Sequence, residues 1–240
     1  MDLVQSNSMD FLTTVEIEAI KLSLKISFWA MLWSLPLALG TAWILARHNF
    51  PGKFLFDGII HLPLVLPPVV IGYVLLVLMG KQGLIGSFLY ETLGFTLSFS
   101  WRGAALAAGI MAFPLIVRAI RLSLEAVDQK LEAAARTLGA RPITVFLTIT
   151  LPLIMPGIIA GAILGFARCL GEFGATITFV SNIPGQTQTL PIALYNFSQV
   201  PGGEEAAFRI VIISIIIALC ALAGSELLAR RMHKHIGNAP

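Results

Sequence analysis

The sequence predicts an all-α polytopic membrane protein, and its composition and apolar segments are the observations behind that prediction. Hydrophobic residues make up 57% of the 240 residues, whereas Asp, Glu, Lys and Arg make up 12%. Ordinary soluble domains carry about 25% charged residues. The mean hydropathy is +0.86, and the apolar residues gather into segments close to the roughly 20 residues that a helix needs to cross a bilayer. We therefore expect a single transmembrane domain over residues 1–240.

About five segments meet or approach the length of a transmembrane helix. They are 22–46, 59–79, 103–120, 154–180 and 206–228. The fourth is longer than a span requires and is interrupted by Gly171-Glu172-Phe173-Gly174. Prolines lie inside several of the segments, which membrane helices tolerate because their neighbours can satisfy the freed carbonyl groups. Five spans would place the two termini on opposite sides of the membrane.

The distribution of basic residues predicts that the N-terminus is outside and the C-terminus inside. If the loop after the third span is cytoplasmic, ten of the sixteen Lys and Arg residues fall on that side. They are Arg47, Lys53, Arg118, Arg121, Lys130, Arg136, Arg141, Arg230, Arg231 and Lys234. The opposite side carries the acidic residues Asp2, Asp10, Glu16, Glu18, Glu204 and Glu205. The net charge of +3 is therefore a matter of membrane orientation and not of nucleic-acid binding.

The loop at about 122–152 is polar, and its spacing predicts two short helices. An apolar stripe recurs at helical spacing through Val127, Leu131, Ala134, Ala135 and Leu138. Glu132 and Arg136 lie off that stripe as a favourable i,i+4 pair. Gly139 suits the end of the first helix and Pro142 the first turn of the second. Such a loop could lie on the bilayer surface as an amphipathic helix, or it could fit a groove on a cytoplasmic partner.

Arg168 and Glu172 place two charges inside the fourth span, where each costs about 2.5–3.5 kcal/mol. One interpretation is a self-neutralising i,i+4 pair next to the break at Gly171 and Gly174. The other is a broken helix that presents backbone N–H groups and Arg168 to an anionic substrate. Glu172 would repel an anion, so we expect it to hold Arg168 or a helix end in place.

The residue pattern excludes several enzyme classes. A phosphate-binding Gly-x-x-x-x-Gly-Lys-Ser/Thr loop is absent, since Gly52-Lys53 precedes Phe54 and Gly80-Lys81 precedes Gln82. The histidines are scattered, and Glu172 has no second acid or nucleophile nearby in the sequence. We predict no catalytic residue and no metal site. A secondary transporter stays an alternative, although the sequence shows none of the internal repeats that such proteins often have.

The loop resembles the cytoplasmic signature of ABC importer permeases, whose consensus is Glu-Ala-Ala, three residues, Gly, nine residues and Ile-x-Leu-Pro. The positions that match in register include Ala134, Gly139, Ile149, Leu151 and Pro152. The consensus acid falls on Ala133, and Glu132 lies one residue early. In that family the loop forms a coupling helix that inserts into a cleft of the ATP-hydrolysing subunit. The resemblance implies a type I permease core with ATPase-coupling residues Glu132, Ala134, Gly139, Ile149, Leu151 and Pro152.

Residues 171–175 resemble the permeases of oxyanion importers, and residues 61–73 and 173–185 resemble the molybdate permeases among them. The resemblance implies a transport subunit of an ATP-driven molybdate importer, with tungstate sharing the route. A sulfate or thiosulfate importer is the alternative. It further implies that Arg168, Gly171, Glu172, Phe173 and Gly174 belong to the translocation pathway or its gate.

The same resemblance implies the assembly and the location. The expected partners are a second copy of the chain, a cytoplasmic ABC ATPase dimer and a periplasmic or extracellular oxyanion-binding protein. The chain would lie as a multi-pass protein in the bacterial cytoplasmic (inner) membrane. It would bind no cofactor itself, because ATP and magnesium would bind to the partner ATPase.

Overall fold

The computed structural model describes residues 12–237, and within that range all regular structure is helical. The helices are α1 (Thr14–Arg47), α2 (Lys53–Val65), α3 (Pro68–Met79), α4 (Leu84–Leu93), α5 (Trp101–Ala126), α6 (Gln129–Thr137), α7 (Pro142–Val145), α8 (Leu151–Leu170), α9 (Gly174–Val180), α10 (Leu190–Ser198) and α11 (Glu204–Gly237). A π-helical turn, Phe146–Thr150, joins α7 to α8. The predicted all-α class is thus confirmed. Asp2 and Asp10, which the orientation prediction used, lie outside the described residues.

Three helical segments of the described chain are long and apolar enough to cross a membrane: α1, α5 and the continuous stretch Pro142–Leu170. The pair formed by α2 and α3 would make a fourth if the two helices are counted as one bent span. The predicted fifth span, 206–228, falls within α11. The side chains of residue 222 and of residues 225–237 in that helix lie outside the description.

The predicted second span, 59–79, was wrong as a single helix. The chain breaks at Leu66 and Pro67, where both residues have extended ψ values of 144° and 134°. Two consecutive prolines explain the break, because each proline disfavours helical backbone at the residue before it. Pro68 then occupies the first turn of α3, where its missing N–H has no consequence.

The predicted fourth span, 154–180, was wrong at both ends, although its predicted interruption is confirmed. The helix starts at Pro142 and stops at Leu170, and α9 is separate from it. The early start follows from the π turn, in which the Leu151 N–H bonds to the Phe146 carbonyl. The helix continues through that wider turn to Pro152, which has no N–H and therefore donates no hydrogen bond to the preceding turn. The second short helix of the polar loop therefore continues into the span.

The described residues divide into two compact units, each built from three separated stretches of chain. The first takes residues 12–29, Pro67–Ala108 and Leu170–Ile217, and the second takes Ala30–Leu66, Gly109–Cys169 and residues 218–237. The expectation of a single domain over 1–240 stays a prediction.

Close helix packing holds α3 on α9 in the first unit. A Cβ on Gly72 would lie 2.5 Å from the Ala175 carbonyl oxygen and 2.8 Å from the Thr178 Cβ, so the two backbones are in direct contact. In the same unit, Glu16 at the start of α1 is fully buried and accepts from Arg209 Nε of α11 at 2.9 Å. This ion pair, whose Arg209 side chain is one third exposed, joins the first and last described helices of the unit.

In the second unit, α8 packs on α5 through glycines of its own. Gly157 lies against Ser123 and Ala119, and Gly161 lies against Ile116. Small residues let membrane helices approach closely and gain dispersion contacts, which replace the hydrophobic driving force that water would supply. The buried apolar residues here include Leu45, Ile116, Ile120, Leu124 and Ile154.

Candidate functional site

The polar loop forms two helices that meet at a glycine, as predicted. Asp128 caps α6, because its Oδ1 accepts the Lys130 N–H at 2.9 Å. Gly139 follows the end of α6 with φ of 87°, the left-handed backbone that glycine adopts without strain. Pro142 opens the second helix. The turn between the two helices, here called the glycine elbow, is therefore specified locally by Gly139 and Pro142.

The apolar stripe of α6 faces away from the rest of the chain over most of its length. Val127 is buried, but Leu131 is 50% exposed and Leu138 is 88% exposed. Ile143, just past the elbow, is 68% exposed. Ala134 and Gly139 are also exposed. Large apolar side chains beside such a polar loop are typical of a surface that another molecule covers.

Glu132 points in the opposite direction, into the protein, with 7% of its side chain exposed. Its Oε1 accepts from Arg47 Nη2 at 2.7 Å and from Thr150 Oγ1 at 2.9 Å. Its Oε2 lies 3.9 Å from Arg136 Nη2, the i,i+4 partner that the sequence predicted. The Arg47 side chain is 10% exposed, whereas that of Arg136 is 57% exposed. The main partner of Glu132 is therefore Arg47, at the end of α1.

Aromatic contacts support the same junction. The Trp43 ring meets the Phe146 ring edge to face, with centroids 5.2 Å apart. The Arg47 guanidinium lies 5.8 Å from the Trp43 ring centroid. Sequence reasoning counted Arg47 only as an inside cation and did not single out Trp43, Phe146 or Thr150. Arg47 lies 85 residues from Glu132, so local spacing held no signal of the pairing.

The other predicted coupling residues occupy the entrance to the span. Ile149 belongs to the π turn, and Leu151 and Pro152 begin α8. Ile149 and Leu151 are partly buried, while Pro152 is exposed. The structure thus separates the predicted set into an outward part, formed by Ala134 and Gly139, and a part that anchors the loop to the span.

A second polar cluster joins α2 to α5 in the same unit. Asp57 Oδ2 lies 3.0 Å from Arg121 Nη1, and Asp57 Oδ1 lies 3.1 Å from His61 Nδ1. Arg121 Nε also donates to Glu125 at 2.7 Å. These side chains are a quarter to almost half exposed, so they are weaker constraints than the Glu132 contacts.

The predicted pathway residues surround the break between α8 and α9. Arg168 is partly buried near the end of α8, and Glu172 is 2% exposed in the break. Glu172 Oε1 accepts the Ala175 N–H at 2.8 Å, so this carboxylate holds the first turn of α9, as its predicted structural role required. The pairing of Arg168 with Glu172 stays a prediction.

Two contacts fix the neighbours of that carboxylate. The Phe173 ring lies 5.2 Å from the Tyr195 ring of α10. Gly174 lies so close to Pro68 that a Cβ would sit 2.7 Å from the proline Cβ. Gly171 is exposed in the break. The start of α9 is therefore held in place from α3 and α10, all within one unit.

A cavity of about 780 Å³ opens elsewhere in this unit, and sequence reasoning missed it. It is lined by Leu76, Val77, Gly80, Lys81, Gln82, Gly83, Thr96, Ser98, Phe99, Ser100 and Gln186. Its single charged lining residue is Lys81, whose Nζ lies 4.2 Å from the Tyr90 ring centroid. None of the predicted pathway residues lines this cavity.

The fold is that of an ABC importer permease. It matches a chain of a bacterial ABC transporter that imports the acidic polysaccharide alginate, with a TM-score of 0.75 over 92% of this chain and 81% of that one, at 17% sequence identity. Residues 34–234 match the family described as binding-protein-dependent transport system inner membrane component. The chain belongs to that family. It is therefore a multi-pass transport subunit of the bacterial inner membrane and not an enzyme.

Two relatives resemble the chain over nearly its whole length. The molybdenum transport system permease protein ModB of Haemophilus influenzae is 61% identical across 93% of this chain and 97% of its own length. The protein of the same name from Escherichia coli K12 is 61% identical across 94% of this chain and 99% of its own length.

Proposed function

We propose that the chain is the permease subunit of an ATP-driven importer for molybdate, with tungstate as a second substrate. The 61% identity to two molybdenum transport permeases over almost the full length of both chains is the observation that carries this proposal. A sulfate or thiosulfate importer is the alternative, because the oxyanions are all tetrahedral and the motif at 171–175 resembles both groups of permeases.

The outward face of α6 supports coupling to a separate cytoplasmic ATPase. Leu131, Leu138 and Ile143 form an exposed apolar surface beside the glycine elbow, and such a surface fits a hydrophobic groove on a partner. The sequence contains no phosphate-binding loop of its own. ATP and magnesium would therefore bind to the partner, and their cycle would reach this chain through α6.

The remaining partners follow from the kind of system to which the chain belongs. A binding-protein-dependent system has a binding protein at the outer face, and we propose that it delivers the oxyanion there. The permease would pair with a second copy of itself, with the pathway near Arg168 and the 171–174 break. The N-terminus would be outside and the C-terminus inside, which places α6 in the cytoplasm.

Reconstitution tests the proposal. The permease and its copurifying ATPase are placed in proteoliposomes with the binding protein, and ATP hydrolysis is measured with the binding protein loaded with molybdate, tungstate or sulfate. We expect molybdate and tungstate to stimulate hydrolysis and to be taken up. Stimulation by sulfate alone would move the assignment to the alternative, and uptake that persists without an ATPase would contradict the proposal.

A further inference from the structure

The direction of Glu132 conflicts with a role as the partner-facing acid of the coupling loop. One residue corresponds to about 100° of rotation around an α-helix. The consensus acid position falls on Ala133, which is exposed, while Glu132 is buried against the chain itself. A buried carboxylate with two short hydrogen bonds cannot also reach a partner without breaking them.

We infer that Glu132 is a positioning residue that fastens α6 to the end of α1 and to the π turn, so that these three segments move as one body. This inference rests on the proposed function for its role in transport, but its structural part stands on the contacts alone. It assigns Arg47 and Thr150 to the coupling machinery, although neither is exposed enough to form part of a docking surface.

The contacts join segments that are far apart in the chain. Arg47 is the last residue of α1, and Thr150 ends the π turn that leads into α8. Both donate to the same oxygen, Glu132 Oε1, at 2.7 and 2.9 Å. Charge-assisted hydrogen bonds of this length are about twice as strong as neutral ones. A force applied to α6 is therefore passed to the ends of two membrane helices through one carboxylate.

The aromatic pair gives the junction a second point of attachment. Trp43 lies one turn before Arg47 on α1, and Phe146 opens the π turn. Their edge-to-face contact at 5.2 Å links α1 to the same turn that Thr150 links to Glu132. The two segments to which Glu132 bonds are therefore also fixed to each other, which supports their movement as one body.

Hydrogen exchange measured by mass spectrometry on the permease in lipid nanodiscs tests the structural part. We expect Glu132→Gln and Arg47→Met each to raise the exchange rate of the α6 amides by about 10-fold or more, which is the loss of one hydrogen bond to a charged group. The double variant should exchange no faster than either single variant, because both remove the same interaction.

The matched control is Glu125→Gln, which makes the same chemical change at an ion pair of the same unit whose acid is 45% exposed. It should leave α6 exchange unchanged. Thr150→Val keeps both charges and removes one donor, so it should give an intermediate increase even if the charge variants fail to fold. Unchanged α6 exchange in Thr150→Val, or increases in the single variants that add in the double variant, would overturn the inference.

The transport part is read from oxyanion uptake per ATP hydrolysed and from the amount of ATPase that copurifies. We expect Glu132→Gln and Arg47→Met to keep the ATPase bound and to lower uptake per ATP several-fold. Loss of ATPase binding in Glu132→Gln but not in Arg47→Met would show a direct contact and contradict the inference. If the wild-type importer does not respond to molybdate, the proposed function fails while the exchange data still decide the role of Glu132.

Discussion

At the scale of single residues, the loop at 122–152 depends on the backbone conformation of Gly139 and on the side-chain contacts of Glu132. Gly139 is required for its backbone, which has φ of 87° and leaves open space where a Cβ would stand. Glu132 is required for its side chain, which is buried and bonded. Within one loop, the residue at position 139 is therefore constrained by backbone conformation, and the residue at position 132 by the groups that its side chain contacts.

Gly139→Pro should leave the protein inserted in the membrane but unable to couple. Proline fixes φ near −65° and cannot adopt the left-handed value found here. Gly139→Asn is the matched control, because asparagine tolerates left-handed backbone and the position has room for a side chain. Molybdate uptake into proteoliposomes should be lost in the proline variant and largely kept in the asparagine variant. Normal uptake by Gly139→Pro would contradict the role of the elbow.

At the scale of elements, the helices are held by two different kinds of contact. Helix α6 is joined to α1 through polar side chains, whereas α3 is joined to α9 by close approach at Gly72 and Gly174, which have no side chains. The polar contact depends on a few side-chain atoms, whereas the close packing of α3 on α9 depends on the absence of side chains at the two glycines. Each kind leads to its own prediction.

Gly72→Ala should destabilise the packing of α3 on α9. The added Cβ would meet the Ala175 backbone oxygen at 2.5 Å, and backbone atoms cannot rotate away as a side chain can. Overpacking of this kind costs about 1–3 kcal/mol. Thermal unfolding in detergent should show a lower midpoint than wild type. Gly40→Ala, in α1, is the control because nothing lies within 4 Å of its added Cβ; an equal loss there would refute the packing argument.

Leu138→Glu should weaken binding of the ATPase without changing the fold. The side chain is 88% exposed, so it contributes little to the stability of the chain itself. A charge placed in an apolar groove of a partner would be desolvated, at a cost of several kcal/mol. We expect at least a tenfold loss of copurifying ATPase, measured against Gln129→Glu. That control adds the same charge at an exposed position in the first turn of α6. Equal ATPase recovery from both variants would exclude Leu138 from the interface.

At the scale of the whole molecule, α1 connects two polar junctions that lie at its opposite ends. With 34 residues it is about 50 Å long, which exceeds the hydrocarbon thickness of about 30 Å. Its first turn holds Glu16, bonded to Arg209, and its last residue is Arg47, bonded to Glu132. A helix of this length is therefore long enough for both of its ends to extend past the hydrocarbon core.

The proposed orientation leads to a labelling pattern. In a chain whose exposed Cys220 is replaced by Ser, Gln82→Cys should react with a membrane-impermeant maleimide in intact spheroplasts. Thr137→Cys in α6 should react only in inside-out vesicles. Both positions are exposed in the structure, and the remaining Cys169 is buried. The reverse pattern would place α6 outside and would contradict the orientation.

Much of the site was predictable because its signals are local. Gly139 and Pro142 specify the elbow through their own backbone preferences, and the break at 171–174 was visible from glycines that flank an acid. The second span was misjudged because its apolar content hid the effect of Pro67 and Pro68 on the backbone. The start of the fourth was misjudged because a π turn leaves no distinct sequence pattern.

The sequence by itself determined that this chain is a multi-pass membrane protein with a polar loop that turns at a glycine, since composition and short-range spacing are enough for both conclusions. Only the tertiary structure decided which way that loop faces: Leu138 outward, and Glu132 inward onto Arg47 and Thr150. The physical reason is that the direction of a side chain on a helix depends on which other segments pack there. Those segments lie 85 residues before Glu132 and 18 residues after it, beyond the reach of any local pattern.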